Sequence, residues 1–202
     1  MNADTGVGVA AQTRMLPLFP LRTVLFPGGL LPLRIFETRY VDMIGRCMRE
    51  GEPFGVLWLI EGGETGAATR LADVGSTARI VDFERMEDGL LGILCRGDRR
   101  FRLLKQHRQA DGLHVGEVQW LTEPPQAPLQ DARRPLGEVL RQVIGEYGEL
   151  ARHLQPDFGD ADWVANRFAE LLPISQAEQQ RLLEIDDPTE RLEALAPMID
   201  TR

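Results

Sequence analysis

The stretch from Pro124 to Pro128 contains three prolines in five residues and divides the sequence into two parts of different character. A run of this kind is extended and fairly stiff, and no helix or central strand continues through it. We therefore predict a connector over residues 124–128. It separates a front subdomain, residues 14–123, from a back subdomain, residues 129–202.

The front subdomain carries the signals of short β-strands. Prolines interrupt its apolar beginning, and because proline cannot donate to a β-ladder, the strands there are short or at an edge. Asp88-Gly89 separates two apolar runs and is a dipeptide favoured in tight hairpin turns. We expect about six short strands and one helix over residues 37–50 that ends at Gly51. This pattern is typical of a small barrel or a rolled mixed sheet.

The back subdomain has a helical pattern throughout. Apolar residues step by three and four from Leu136 to Leu154, which predicts one helix of about five turns. Three further helices are expected after the capping residues Asp160, Ser175 and Asp187. Strands followed by helices give the fold class α+β, with an all-α bundle as the second part.

The composition indicates a folded protein that does not cross a membrane. Hydrophobic residues make up 43% of the chain, enough for a core, and no apolar run approaches the roughly 20 residues that span a bilayer. Residues 1–13 lack the basic start and apolar centre of a signal peptide, so we expect a flexible tail and a cytoplasmic location. Cysteines stay reduced there, and we interpret Cys47 and Cys95 as small buried hydrophobes.

Charge gives conflicting signals about nucleic acid. The net charge of −8 comes almost entirely from residues 125–202, where 15 acidic residues outnumber 8 basic ones, and this disfavours a nucleic acid as a partner. The opposing signal is a basic cluster between Arg96 and Arg108. It could contact an anion or nucleic acid, or form a solvated strand face with Phe101 pointing inward. Its candidate contacts are Arg96, Arg99, Arg100, Arg102 and Lys105.

We find no recognisable catalytic, cofactor or metal site in the sequence. The serines are Ser76, in a turn, and Ser175, a helix cap, and neither lies in a Gly-x-Ser-x-Gly motif. Lys105 is the only lysine, and nothing in the sequence pairs it with a serine. The three histidines lack partners at ligand spacing, and there is no phosphate loop. We therefore predict a protein that is not an enzyme and needs no cofactor or metal.

Three separated blocks resemble the N-terminal domain of Lon proteases and occur in that family's order. The first block contains Leu16-Pro17-Leu18-Phe19-Pro20-Leu21 and continues to Leu31-Pro32-Leu33-Arg34-Ile35-Phe36-Glu37. The second block runs from Val74-Gly75-Ser76-Thr77 to Arg99-Arg100-Phe101, and the third from Leu171-Leu172-Pro173 to Asp187-Pro188-Thr189-Glu190-Arg191-Leu192. Together they extend over about residues 15 to 199.

The resemblance implies a PUA-like β-barrel with one short helix, followed by an all-α helical bundle, in agreement with the strand and helix patterns. In Lon this domain helps to recognise substrate proteins, and ATPase and Ser-Lys protease modules follow it. We recognise neither module here and expect a stand-alone domain that binds exposed apolar protein segments or an adaptor protein. The alternatives are an RNA-binding protein that uses the basic cluster and a hydrolase with an unrecognised site.

The predicted binding segment is the junction where the proline-broken strand leads into the first helix. Such junctions leave backbone groups free, and helix N-termini offer N–H groups to a carbonyl or carboxylate. Phe36 belongs to no periodic stripe, which favours an exposed aromatic anchor. Tyr40 lies on the apolar face of the helix, so core packing and anchoring both stay open for its ring. The candidate residues are Arg34, Phe36, Glu37 and Tyr40.

Overall fold

The computed structural model describes residues 13–63, 68–124 and 126–199, so the predicted tail lies outside it apart from Thr13. The strands are β1 (Thr13–Leu21), β2 (Leu30–Ile35), β3 (Phe54–Gly62), β4 (Ala68–Leu71), β5 (Val74–Arg85), β6 (Leu91–Arg108) and β7 (His114–Trp120). The α-helices are α1 (Thr38–Glu50), α2 (Arg134–Gly145), α3 (Ala161–Leu171), α4 (Gln176–Glu184) and α5 (Pro188–Ile199). None of the helices in these ranges is long and apolar enough to cross a membrane.

Five of the strands close into a barrel in the order β1-β7-β6-β5-β3, and β3 returns to pair with β1. The β1–β3 pair is parallel and the other neighbours are antiparallel. Because the barrel is closed, the central parts of its strands are paired on both sides. The remaining strands extend it: β2 pairs with the first part of β6, and β4 pairs with β3.

Helix α1 covers one end of the barrel with a single apolar face. Tyr40, Met43 and Ile44 are buried against barrel residues, and Cys47 completes this face. Gly51 ends the helix in the left-handed conformation, as predicted. The predicted burial of Cys47 and Cys95 is also confirmed, and burial raises the pKa of the Cys95 thiol to about 12.

Strand β6 is longer than the sequence suggested. The sequence predicts only short strands, but β6 runs unbroken for 18 residues. Gly97 serves the neighbouring turn instead of ending the strand: its N–H and C=O bond to Gly29 and Gly28, each at 2.8 Å. A Cβ at Gly97 would lie 2.1 Å from the carbonyl oxygen of Phe26, so only glycine lets this turn approach. With β4, the residues that the structure describes form seven strands in place of the roughly six that we expected.

The bundle confirms the predicted helix starts and corrects one helix. The side chains of Asp160 and Ser175 accept N–H bonds in the first turns of α3 and α4, and Asp187 accepts the N–H of Thr189. The predicted five-turn helix is wrong, because α2 ends at Gly145 and a separate 3-10 helix follows over Gly148–His153. Glycine is a poor helix former, and Gly148 adopts a left-handed φ of 56°. We call Gly148–His153 the 3-10 segment.

Buried arginines fasten the helical part to the barrel. Arg100 of β6 is 2% exposed and donates to Leu183 O at 2.8 Å and to Ile185 O at 3.2 Å, at the end of α4. Arg191 of α5 is 1% exposed and donates to Leu182 O at 2.9 Å in the same turn. These bonds give the carbonyl groups at the end of α4 donors from the barrel and from α5.

The proline-rich connector is attached to α3 along part of its length. Leu129 N–H bonds to Gly159 O at 2.6 Å, and Ala127 O accepts from Ala161 N–H at 2.8 Å. The carboxylate of Asp160, which caps α3, also accepts from Ala127 N–H. The connector therefore places the start of α3 beside the end of the barrel.

A second contact between the two parts contains a carboxyl group with an altered pKa. Arg167 of α3 donates to Pro27 O at 2.8 Å and lies 3.2 Å from the Glu170 carboxylate. Removal from water raises the pKa of Glu170 to about 7, and the charge of Arg167 opposes that rise. About a quarter of the Glu170 side chain remains exposed to solvent.

We expect the isolated back subdomain, residues 129–202, to unfold at a lower temperature and less cooperatively than the full chain. Without Arg100, the carbonyl group of Leu183 loses its donor, that of Ile185 keeps only its bond from Arg191, and the apolar face toward the barrel is exposed to water. Thermal unfolding followed by far-UV circular dichroism compares the fragment with the full chain. A fragment that melts as hot and as sharply as the full chain contradicts a packed interface.

We also expect Glu170→Gln to change how stability depends on pH. The folded protein keeps the Glu170 proton up to about pH 7, whereas the unfolded chain releases it near the ordinary value of 4.5. Between these values the folded state binds one more proton, so the stability of the wild type falls as pH rises. The glutamine variant is neutral throughout and lacks this contribution. Urea unfolding at pH 5 and pH 8 measures it, and an equal pH dependence in both proteins rejects the assignment.

Candidate functional site

An apolar groove of about 430 Å³ opens where the barrel meets the helical part, and we call it the junction groove. Its barrel wall consists of β2, β5 and β6, and its other wall is the 3-10 segment. Phe83 of β5 and Leu150 of the 3-10 segment line it, although they are 60% and 50% exposed. Large apolar side chains that remain this accessible around a concave surface are typical of binding sites.

Asp82 holds the two walls of the junction groove together. Its carboxylate accepts the N–H of Phe83 at 2.9 Å and the Nη2 of Arg152 at 3.2 Å, and it lies 3.2 Å from Nε2 of His153. The bond from the Phe83 N–H, followed by that from Arg152, lowers the pKa of Asp82. The carboxylate is therefore charged near neutral pH and links β5 to the 3-10 segment.

The predicted binding segment lies at the β2 side of this groove. Arg34 lines the groove and forms an ion pair with Asp88 in the hairpin turn. Phe36 does not line the groove but follows β2 directly and is 59% exposed. Glu37 precedes α1 and forms an ion pair with Arg39 at 2.8 Å.

Tyr40 is not a surface anchor. Its ring is 3% exposed and stacks on Phe19 with ring centroids 3.9 Å apart. The apolar periodicity of α1 dictates this position, because Tyr40 and Ile44 lie one turn apart on the face that packs against the barrel. Of the two interpretations left open by the sequence, the structure favours core packing.

The basic cluster of β6 does not form one surface. Arg100 points into the interface with α4, and Arg96 donates to His153 O at 3.2 Å. Arg99 stacks over the Trp120 ring at 4.7 Å and lies 3.5 Å from the Glu123 carboxylate. The remaining members are exposed on the outer strand, Arg102 and Lys105. The interpretation of Arg100 as an anion contact is therefore wrong, because its guanidinium is used to join the two parts of the molecule.

The candidate catalytic groups considered in the sequence lie apart. Ser76 is completely buried in β5, Ser175 caps α4, and Lys105 is exposed on β6. Within residues 13–63, 68–124 and 126–199, no group of three or more His, Cys, Asp or Glu side chains is placed to hold a metal ion.

Sequence reasoning missed Phe83 and Leu150 as groove residues. Phe83 lies in a predicted strand, but the pairing of β5 with β6 shifts register between Ile80 and Asp82, and this local irregularity alters which side chains face the core. Leu150 belonged to the apolar stripe of the predicted long helix. The break at Gly148 turns it out of that stripe. Gly148 was the sequence signal that could have predicted this break in the helix.

A family model described as the ATP-dependent protease La (LON) substrate-binding domain matches residues 15–201. The chain belongs to this family. The resemblance seen in the sequence is thus confirmed, together with the fold class α+β of a PUA-like barrel followed by a helical bundle.

Relatives of this Lon substrate-binding domain include larger proteins. It is 27% identical over 197 residues to Lon protease 2 of Myxococcus xanthus, with 94% of this chain and 24% of that protein covered. It is 28% identical over 200 residues to a Lon protease of Xanthomonas oryzae pv. oryzae, covering 92% of this chain and 23% of that protein. The chain spans about a quarter of the length of these curated relatives.

Solved structures support the same fold. The crystal structure of a Lon N-terminal domain protein from Xanthomonas campestris is 38% identical, with a TM-score of 0.75, and the match covers 91% of this chain and 98% of that one. The N-terminal domain of the Mycobacterium avium complex Lon protease is 20% identical, with a TM-score of 0.63 and coverage of 94% and 100%, and it shows the fold alone.

Proposed function

We propose that this Lon substrate-binding domain binds exposed apolar segments of unfolded proteins in the junction groove, in the cytoplasm. The observation that carries the proposal is the groove itself, with Phe83 and Leu150 exposed on its two walls. Burial of such side chains by a partner removes apolar area from water, the main favourable term in protein association. The description of the family as a substrate-binding domain supports a protein segment as the occupant.

Phe36 extends the apolar surface beyond the groove toward the hairpin turn. It follows Ile35, which pairs with Leu91 at the end of β6, so it lies at the same end of the sheet as Arg34 and Asp88. We propose Phe36 as an aromatic anchor, with Arg34 and Glu37 as polar rim residues beside it. Aromatic anchors surrounded by polar side chains are common at binding hot spots.

We propose that the domain binds without hydrolysing its partner or ATP. The buried Ser76 and the helix cap Ser175 support this, because neither hydroxyl has the neighbours of an activated nucleophile. The RNA-binding alternative has no support, since the basic side chains do not share one face and the matched relatives are named as proteases.

We expect Phe36→Ala to weaken binding of an unfolded protein about tenfold, a loss of about 1.4 kcal/mol, with little change in melting temperature. Phe36 is 59% exposed, so its removal leaves the core intact. Reduced, carboxymethylated α-lactalbumin serves as the unfolded probe, binding is measured by fluorescence anisotropy, and gel electrophoresis checks that the probe stays intact.

Leu104→Ala is the matched control for this experiment, because Leu104 is an exposed apolar residue of β6 outside the groove. It should bind the probe like the wild type. Unchanged binding by a folded Phe36→Ala variant removes Phe36 from the site. A loss of stability of about 3–5 kcal/mol would instead identify the ring as core.

A further inference from the structure

The outer half of β5 is an open sheet edge. β5 pairs with β6 from Val74 to Arg85, but its other side pairs with β3 only from Ser76 to Ala78. Among the strands that the structure describes, none pairs with that other side from Arg79 to Arg85. Such an edge presents backbone N–H and C=O groups to any extended chain that reaches it.

The hydrogen-bond pattern of the hairpin shows which backbone groups face outward. Met86 N–H bonds to Leu90 O at 2.9 Å, so these two residues form a hydrogen-bonded pair. Hydrogen-bonded and non-bonded pairs alternate along an antiparallel ladder. The backbone groups of Arg85 and Phe83 therefore point away from β6. In agreement, the N–H of Phe83 bonds to the Asp82 carboxylate rather than to β6.

A groove lies on each side of this edge. One is the junction groove. The other, which we call the edge groove, has a volume of about 300 Å³ and lies between β5 and the end of α1. Its walls include Met48, which is 40% exposed, and Gly51, which ends α1. Asp82 and Phe83 line both grooves, so the β5 backbone separates them.

We infer that an extended, uncharged segment of an unfolded protein adds to β5 as an extra strand along Asp82–Arg85, where β5 pairs with β6 without a register shift. Side chains of a strand alternate between the two faces of its sheet. One set of side chains of the added strand would thus enter the junction groove, and the other set the edge groove. This inference rests on the proposed function and specifies how the segment is held.

The charged side chains that line the edge groove favour an uncharged occupant, because each of them already forms an ion pair within the protein. Arg79 pairs with Asp98 at 2.7 Å, Glu52 with Arg14 at 2.7 Å, and Asp82 with Arg152. A charged side chain entering this groove finds no free counter-ion and loses part of its hydration. An uncharged apolar segment complements this lining. Glu84, at the outer end of the junction groove, is exposed to solvent.

In the absence of a bound segment, the outward N–H of Phe83 donates to the Asp82 carboxylate. A carbonyl of the added strand replaces the carboxylate at this N–H, and Asp82 keeps its contacts with Arg152 and His153. Main-chain hydrogen bonds of this kind give affinity without reading the side-chain sequence. The arrangement therefore suits a domain that binds many different unfolded segments.

The test uses a fluorescein-labelled nine-residue peptide that alternates leucine or valine with threonine and carries no charged side chain. Two derivatives carry N-methyl groups on alternate residues, one on the odd positions and one on the even positions. N-methylation removes an N–H donor without changing the side chains. We expect one derivative to bind the full-length protein at least tenfold more weakly than the parent peptide, and the other within about twofold of it.

Four other outcomes overturn either the inference or the proposed function. If both derivatives bind like the parent, the segment lies in a groove without pairing, so the inference is overturned while the proposed function stands. The same conclusion follows if unfolded α-lactalbumin binds and the parent peptide does not. Failure of both probes overturns the proposed function itself. A dimer in analytical ultracentrifugation that excludes the parent peptide assigns the edge to a second copy of this chain and also overturns the inference.

Discussion

The buried guanidinium of Arg100 is the interaction on which the arrangement of the molecule depends. It leaves the barrel at β6 and donates to carbonyl groups 83 and 85 residues further along the chain, at the end of α4. Arg191 reaches the same turn from α5 and also contacts Asp162 at 2.6 Å. Loss of a partner from a buried charge costs several kcal/mol. These two side chains therefore hold the end of α4 at one position relative to the barrel.

The groove follows from that arrangement. Once the bundle is attached at the end of α4 and along the connector, the 3-10 segment lies over the outer parts of β5 and β6, where Asp82 contacts Arg152. The apolar groove thus has one wall from each part of the chain. Barrel closure pairs both sides of β5 near its start but leaves one side of its outer half unpaired. This unpaired backbone lies next to the junction groove.

Local signals in the sequence predicted much of the fold. Helix caps such as Asp160 and Ser175 and the Asp88-Gly89 turn depend on neighbouring residues, so their patterns are readable without tertiary contacts. Arg100 was not readable in this way. Arg100 lies among other arginines in the sequence and was therefore interpreted as part of a surface cluster. Its partners are backbone carbonyl groups of distant residues, which the sequence does not reveal. Phe83 was hidden for a similar reason, since a register shift in pairing decides where its ring points.

Hydrogen–deuterium exchange of the full chain, with and without reduced, carboxymethylated α-lactalbumin, tests most directly whether a bound segment contacts both parts of the molecule. Amides that become hydrogen-bonded or shielded exchange more slowly. The account predicts slower exchange in the outer half of β5 and in the 3-10 segment together, because these are the two walls of the junction groove. Protection confined to one wall, or absent from both while the probe is bound, would contradict it.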